Sequence, residues 1–201
     1  MKNGELLALA QLIVPELTAK AFVQFYNIAF EKISREVRLL TTVLRPTSVS
    51  LYKNLLEQNA VKIDSVKDAS GDDIFWEVRH RKLLIYDSNK ELITDATIGN
   101  HKLEIEYWVR ISKATKSFPT DDDIESNPNI IEEWNEMIPG VEDTEVQLCA
   151  LYLMITELAG IFPMEPGTVE LYANKFSGAF QAIKTKYNSG NSPATITQVY
   201  F

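Results

Sequence analysis

A catalytic or metal site in this 201-residue chain would be sought first at its two histidines, its one cysteine and its runs of carboxylates. His80 and His101 stand at predicted strand ends or turns, and neither has a Cys, His or carboxylate at a familiar metal spacing, so both read as turn histidines. Cys149 lies inside the apolar run 148–155, where a thiol is held protonated and makes a poor nucleophile. No Gly-x-Ser-x-Gly elbow, phosphate loop or dinucleotide fingerprint occurs. Asp73, Glu77 and Arg79 allow a metal-dependent nuclease to be sketched on one strand, but that pattern wants a Lys in third place, and the triplet is ordinary surface alternation. Asp121, Asp122, Asp123 and Glu125 could wrap a hard cation, and Glu132, Glu133 and Glu136 share part of a helical face. The Gly-centred spacing of a calcium loop is missing, so these read as a solvated acidic surface, and the expectation is no enzyme, no metal and no cofactor.

Charge is distributed unevenly. Between the consecutive bases Lys116 and Lys175 lie 58 residues with 13 Asp or Glu and no Lys or Arg; outside that stretch 20 bases face 15 acids. With a pI near 4.9 the chain is a poor general nucleic-acid binder, and its asymmetry points to self-assembly or to a negatively lined passage. Arg79, His80, Arg81 and Lys82 form the densest basic cluster. It reads either as a solvated hairpin turn or as a contact for phosphate or for an acidic patch on a neighbouring copy.

The elements that must position these residues follow from periodicity. Residues 5–14 and a longer segment from about residue 16 show helical stripes separated by Pro15, and no signal peptide is expected before them. From residue 37 the period becomes two: strands are expected over 37–44, 61–66, 74–79, 83–86, 92–98 and 102–112, with hairpin turns at residues 79–82 and at Gly99-Asn100. On the last strand Leu103, Ile105, Tyr107, Val109 and Ile111 make one face. Lys102, Glu104, Glu106, Trp108 and Arg110 make the other, read as solvent-facing or as a contact surface. Residues 113–142 read as a long loop with a short helix over 130–137. Two further helices span 144–162, apolar nearly all round, and the segment opened by Pro166, whose stripe runs Val169, Tyr172, Phe176, Ala179, Phe180, Ile183, Tyr187.

The chain closes on Thr195, Ile196, Thr197, Gln198, Val199, Tyr200 and Phe201, an uncharged β-prone tail. Together with Trp108 on a polar strand face, it is a costly exposure for a monomer. Strand addition to a neighbouring sheet would satisfy it; a frayed terminus is the alternative. The plan is therefore α+β: an antiparallel bundle of two N-terminal helices (1–35) and two C-terminal helices (143–189), an inserted antiparallel β subdomain (36–115), an acidic loop (116–142) and an extended tail (190–201). No stretch approaches the length of a membrane span.

That order resembles the head-to-tail connector (adaptor) proteins of tailed bacteriophages, the group that includes the podovirus tail tubular A proteins. The similarity rests on Phe75-Trp76-Glu77-Val78-Arg79 leading to Lys82-Leu83-Leu84-Ile85-Tyr86, then Leu103-Glu104-Ile105-Glu106-Tyr107-Trp108, Phe118-Pro119 before the penultimate helix, and Leu171-Tyr172 with Lys175-Phe176 in the last. His80-Arg81 departs from it by replacing a glycine-containing turn. The resemblance implies a virion protein assembled in the host cytoplasm as a ring of twelve copies between portal and tail. The genome would pass through without specific binding. It also implies a C-terminal tail reaching toward the portal protein, contact with a tail or neighbouring ring protein, and no active site.

Overall fold

The computed structural model describes residues 1–45, 60–79, 82–94, 96–189 and 197–200. It is mixed α+β and divides into two compact units, one from Met1–Val37 and Ile111–Ser192, the other from Arg38–Arg110 and Pro193–Phe201.

The first unit is helical. Helix α1 (Asn3–Gln11) ends well before α2 (Ala19–Ser34) begins. The break is longer than Pro15 alone requires, because the Thr18 hydroxyl accepts the Ala21 amide and fixes the start of α2 three residues beyond the expected position. Helix α2 sends Phe22, Val23, Tyr26, Ala29, Phe30 and Ile33 inward at spacings of three and four. Helix α6 (Thr144–Leu158) is apolar on most sides because it is covered on most sides: it packs against both α2 and α7 (Pro166–Asn188) and buries Val146, Cys149, Ala150, Leu151, Met154, Ile155 and Leu158. At roughly 1.5–3 kcal/mol for each large side chain, this burial together with that of α2 is a major source of the unit's stability. Burial pushes the Cys149 thiol up to about 12.

Between the long helices the segment expected as a loop with one helix contains two: α4 (Asp121–Ser126) and α5 (Ile130–Glu136). The unexpected α4 is started by a reciprocal cap. The Asp123 amide donates to Thr120 Oγ1 at 3.3 Å, and the Thr120 amide donates to Asp123 Oδ2 at 3.0 Å.

The second unit holds two small sheets. One has the order β2–β5–β1–β6, formed by β1 (Thr41–Leu44), β2 (Ala60–Lys67), β5 (Glu104–Val109) and β6 (Thr197–Tyr200). Strand β5 pairs antiparallel with β1 and β2, and β6 runs parallel to β1. The other sheet is the hairpin of β3 (Trp76–Arg79) and β4 (Lys82–Ile85), with Arg79 opposite Lys82. Ile63, Val66, Leu83, Ile85, Ile93, Ile98, Leu103, Ile105 and Tyr107 form its core.

The strand expected over 92–98 and its Gly99-Asn100 hairpin are not there. Leu92 makes one isolated bridge to Tyr86, and Ile98–His101 forms a short helix, α3, ended by Lys102 at φ 44°. Both Ile93 and Ile98 are buried in the same core. Five residues apart, a strand would send them to opposite faces. The Thr94 amide donates to Thr97 Oγ1 at 2.9 Å and the Thr94 carbonyl accepts from the Ile98 amide at 2.9 Å, coiling the chain so that both side chains reach one core.

Candidate functional site

The carboxylates singled out in the sequence come together on α4 and α5. Asp121, Asp122, Asp123, Glu125, Glu132, Glu133 and Glu136 are all exposed. Only Glu136 has a cation beside it among the described residues, the ammonium of Lys2. Asp123 is committed to capping: the Thr120 hydroxyl and amide both donate to it and hold its carboxyl below the usual carboxylate range. Among the described residues no group of three or more His, Cys, Asp or Glu is placed to hold a metal ion.

The segment leading into this face, and α5 within it, are held by buried and half-buried polar side chains, none of which the sequence marks as important. Asn27 of α2 accepts the Ala114 and Thr115 amides at 2.8 and 3.0 Å and donates to the Thr115 carbonyl at 3.1 Å. Thr115 donates to Asn3 Oδ1 at 2.9 Å, and Asn3 Nδ2 donates to the Trp134 carbonyl at 3.2 Å. Trp134, buried on α5, donates its indole N–H to the Lys116 carbonyl at 3.2 Å and packs edge-on against Phe118 and Phe22. Gln147 donates to the Val141 carbonyl at 2.8 Å. These bonds satisfy groups that would be costly to leave unpaired, so α5, anchored by Trp134, presents its acids from a fixed frame, whereas α4 buries none of its residues.

The start of α6 and the end of α7 are joined at Asp143. It caps α6 through the Glu145 amide at 2.8 Å, and accepts from the Lys186 ammonium at 2.8 Å and the Tyr187 hydroxyl at 2.7 Å. Burial pushes its carboxyl up, but these hydrogen bonds outweigh burial and hold it below the usual range. The partners move the other way. Lys186 is raised by its bonds to Asp143 and Glu145, and Tyr187 by burial and by its bond to Asp143.

Within the basic cluster the described side chain, Arg79, has an internal partner. Arg79 donates to Glu77 Oε2 at 2.9 Å, and the Tyr86 hydroxyl occupies Glu77 Oε1 at 2.7 Å. Only the backbone of Lys82 is described, within β4, and His80 and Arg81 lie outside the described residues. Glu77, the centre of the nuclease sketch, thus has internal donors on both oxygens.

On the polar face of β5 the two carboxylates are internally matched. Arg38 sits 2.9 Å from Asp64 and 2.6 Å from Glu106, Arg45 bonds Glu104 at 2.7 Å, and the Lys62 ammonium stands 5.8 Å from the centre of the Trp108 ring. Trp108 is half-buried rather than displayed, and its indole N–H meets no acceptor among the described residues. Of the tail, Thr197, Gln198, Val199 and Tyr200 form β6 on the chain's own β1, while Thr195, Ile196 and Phe201 lie outside the described residues.

No protein-family model matches the chain, and no curated protein matches it. No helix among the described residues is long and apolar enough to cross a membrane.

Proposed function

We propose that the chain is a structural ring subunit of a tailed-phage head-to-tail connector, joining portal to tail and enclosing part of the channel through which DNA passes. The observation that carries this reading is the acidic face of α4 and α5, seven exposed carboxylates without an exposed Lys or Arg on either helix, with α5 anchored through the buried Trp134. Each Lys or Arg contact to phosphate adds affinity, so a moving duplex needs a wall that lacks them. The order of elements, with the helical unit drawn from both sides of the β unit in sequence, agrees with the connector resemblance. In this reading α1, α2, α6 and α7 act as an antiparallel bundle packing head-to-tail in a ring of twelve copies. The β unit meets the tail or an adjacent ring, and residues 195–201 leave the chain's own β1 to reach the portal protein on assembly. Its place is the virion, after assembly in the host cytoplasm, and it has no active site and no cofactor.

A metal-dependent nuclease built on Asp73 and Glu77 draws no support from the hydrogen bonds that occupy Glu77. A monomeric adaptor acting through its tail is separated from the ring by native mass. A reconstruction of the assembled particle tests the channel assignment: residues 121–145 are expected on the inner wall, and their appearance on the outer rim would overturn it.

A further inference from the structure

Helix α7 is 23 residues long, yet only Ile183 and Tyr187 are buried, both in its last turns. Upstream, its apolar stripe is half-covered by α6: Tyr172, Phe176 and Phe180 all keep partial exposure, and Leu171 is 51% exposed. Phe176 and Phe180 stack with centroids 5.3 Å apart. One turn along from Leu171, the Lys175 ammonium lies 4.8 Å from the centre of the Tyr172 ring and 5.7 Å from that of Tyr152. Among the described residues no carboxylate pairs with it. A long helix that packs mainly on one neighbour leaves an aromatic and aliphatic surface that a monomer has reason to cover.

The same unit carries a surface of complementary chemistry. On α4 and α5 the exposed Asp122, Glu132 and Glu133 have no cation partner among the described residues, and the half-buried Ile124, Ile130 and Ile131 stand on the same two short helices. One face offers rings with a cation above them; the other offers aliphatic groups edged with carboxylates. We propose that the outer face of α7, centred on Leu171, Lys175 and Phe176, docks onto the α4–α5 face of a second copy of this chain. Two unlike patches joined in this way make a heterologous contact, which repeats from copy to copy and closes when the rotation permits. The assignment rests on the ring reading and names its subunit contact. It also restricts the channel wall to the part of the acidic face left uncovered by the neighbour.

The test is charge reversal and rescue in the full chain, with self-association followed by native mass spectrometry and sedimentation, alone and on candidate portal rings. Lys175→Glu weakens association by about tenfold per contact, with circular dichroism unchanged because the side chain is exposed. Combining it with Glu132→Lys and Glu133→Lys restores association, and Leu171→Asp abolishes it. Rings that form from the Lys175→Glu and Leu171→Asp variants as from the parent overturn the α7 contact while leaving the ring reading intact. Loss without rescue by the acid reversals overturns the acidic partner. A parent chain that never self-associates, with or without portal, overturns the contact together with the ring reading.

Discussion

The Tyr187 hydroxyl donates to Asp143 Oδ2 at 2.7 Å, tying the last turn of α7 to the cap of α6. Ile183 and Tyr187 are the only buried residues on α7, and this hydrogen bond, the neighbouring Lys186 ion pair and the contacts of Lys184 and Asn188 with Glu36 all hold its last turns. Tyr187→Phe keeps the ring and removes the donor, with an expected loss of about 1–2 kcal/mol in urea unfolding. Asp143→Asn retains the cap but loses the charge pairing, whereas Asp143→Ala loses both and is expected to be the more damaging of the two.

Acid should loosen the same junction. The Asp143 carboxyl titrates below its unfolded value, so its contribution is present above the ordinary carboxylate pKa of about 4 and disappears as pH falls through the lower folded value. Lys186 and Tyr187 are raised, so their contributions hold below about pH 10 and are lost above it as pH rises through the folded values. Stability of the parent measured from pH 6 down to pH 2 is expected to fall more steeply than that of Asp143→Asn. Parallel curves would show that the carboxylate does not hold the junction.

Asn27→Ala is expected to release the segment that carries the acidic helices. Three hydrogen bonds to residues 114 and 115 disappear, leaving two amide donors and a carbonyl short of partners, at a cost of about 1–3 kcal/mol. Limited proteolysis should then cut within residues 113–140 faster than in the parent.

In the β unit, Arg38→Ala leaves Asp64 and Glu106 facing each other without their shared cation. Burial already raises the Asp64 carboxyl against the pull of Arg38. Removing the guanidinium raises it further, so the native state binds protons more readily than the unfolded chain and loses stability as pH rises. The variant is expected to be destabilised by about 1–3 kcal/mol at pH 7 and by less at pH 4, in denaturant titrations at the two values.

Deleting residues 192–201 removes β6, the edge strand paired with β1. The truncated chain is expected to keep its near-ultraviolet circular dichroism and to lose attachment to the portal. Unfolding on truncation would make the tail part of the fold rather than a connecting element.

What the sequence made legible was what periodicity reports. The alternation from Leu103 to Tyr107 placed β5 and its inner face, and the three-four spacing of Phe22, Tyr26, Ala29 and Ile33 placed α2. Ile93 and Ile98 misled because a coil held by Thr94 and Thr97 can bury residues that a strand would separate. Helix α4 was signalled by Thr120 and Asp123 at capping-box spacing, a signal obscured by the run of aspartates that looked only like charge. Asn3 and Asn27 gave no warning, because a polar residue inside an amphipathic pattern does not announce partners 87 to 131 positions away, and Gln147 gave none although its partner Val141 is six positions away. The acidic stretch itself separated into two parts: an exposed face on α4 and α5, and the interior of α6, where lysine is excluded by packing.

Native mass spectrometry with negative-stain imaging of the full chain, alone and mixed with its candidate portal, tests the ring most directly. Closed assemblies of one stoichiometry with central symmetry are expected, free or seated on the portal. A chain that stays monomeric at every concentration and ignores portal rings would contradict the account.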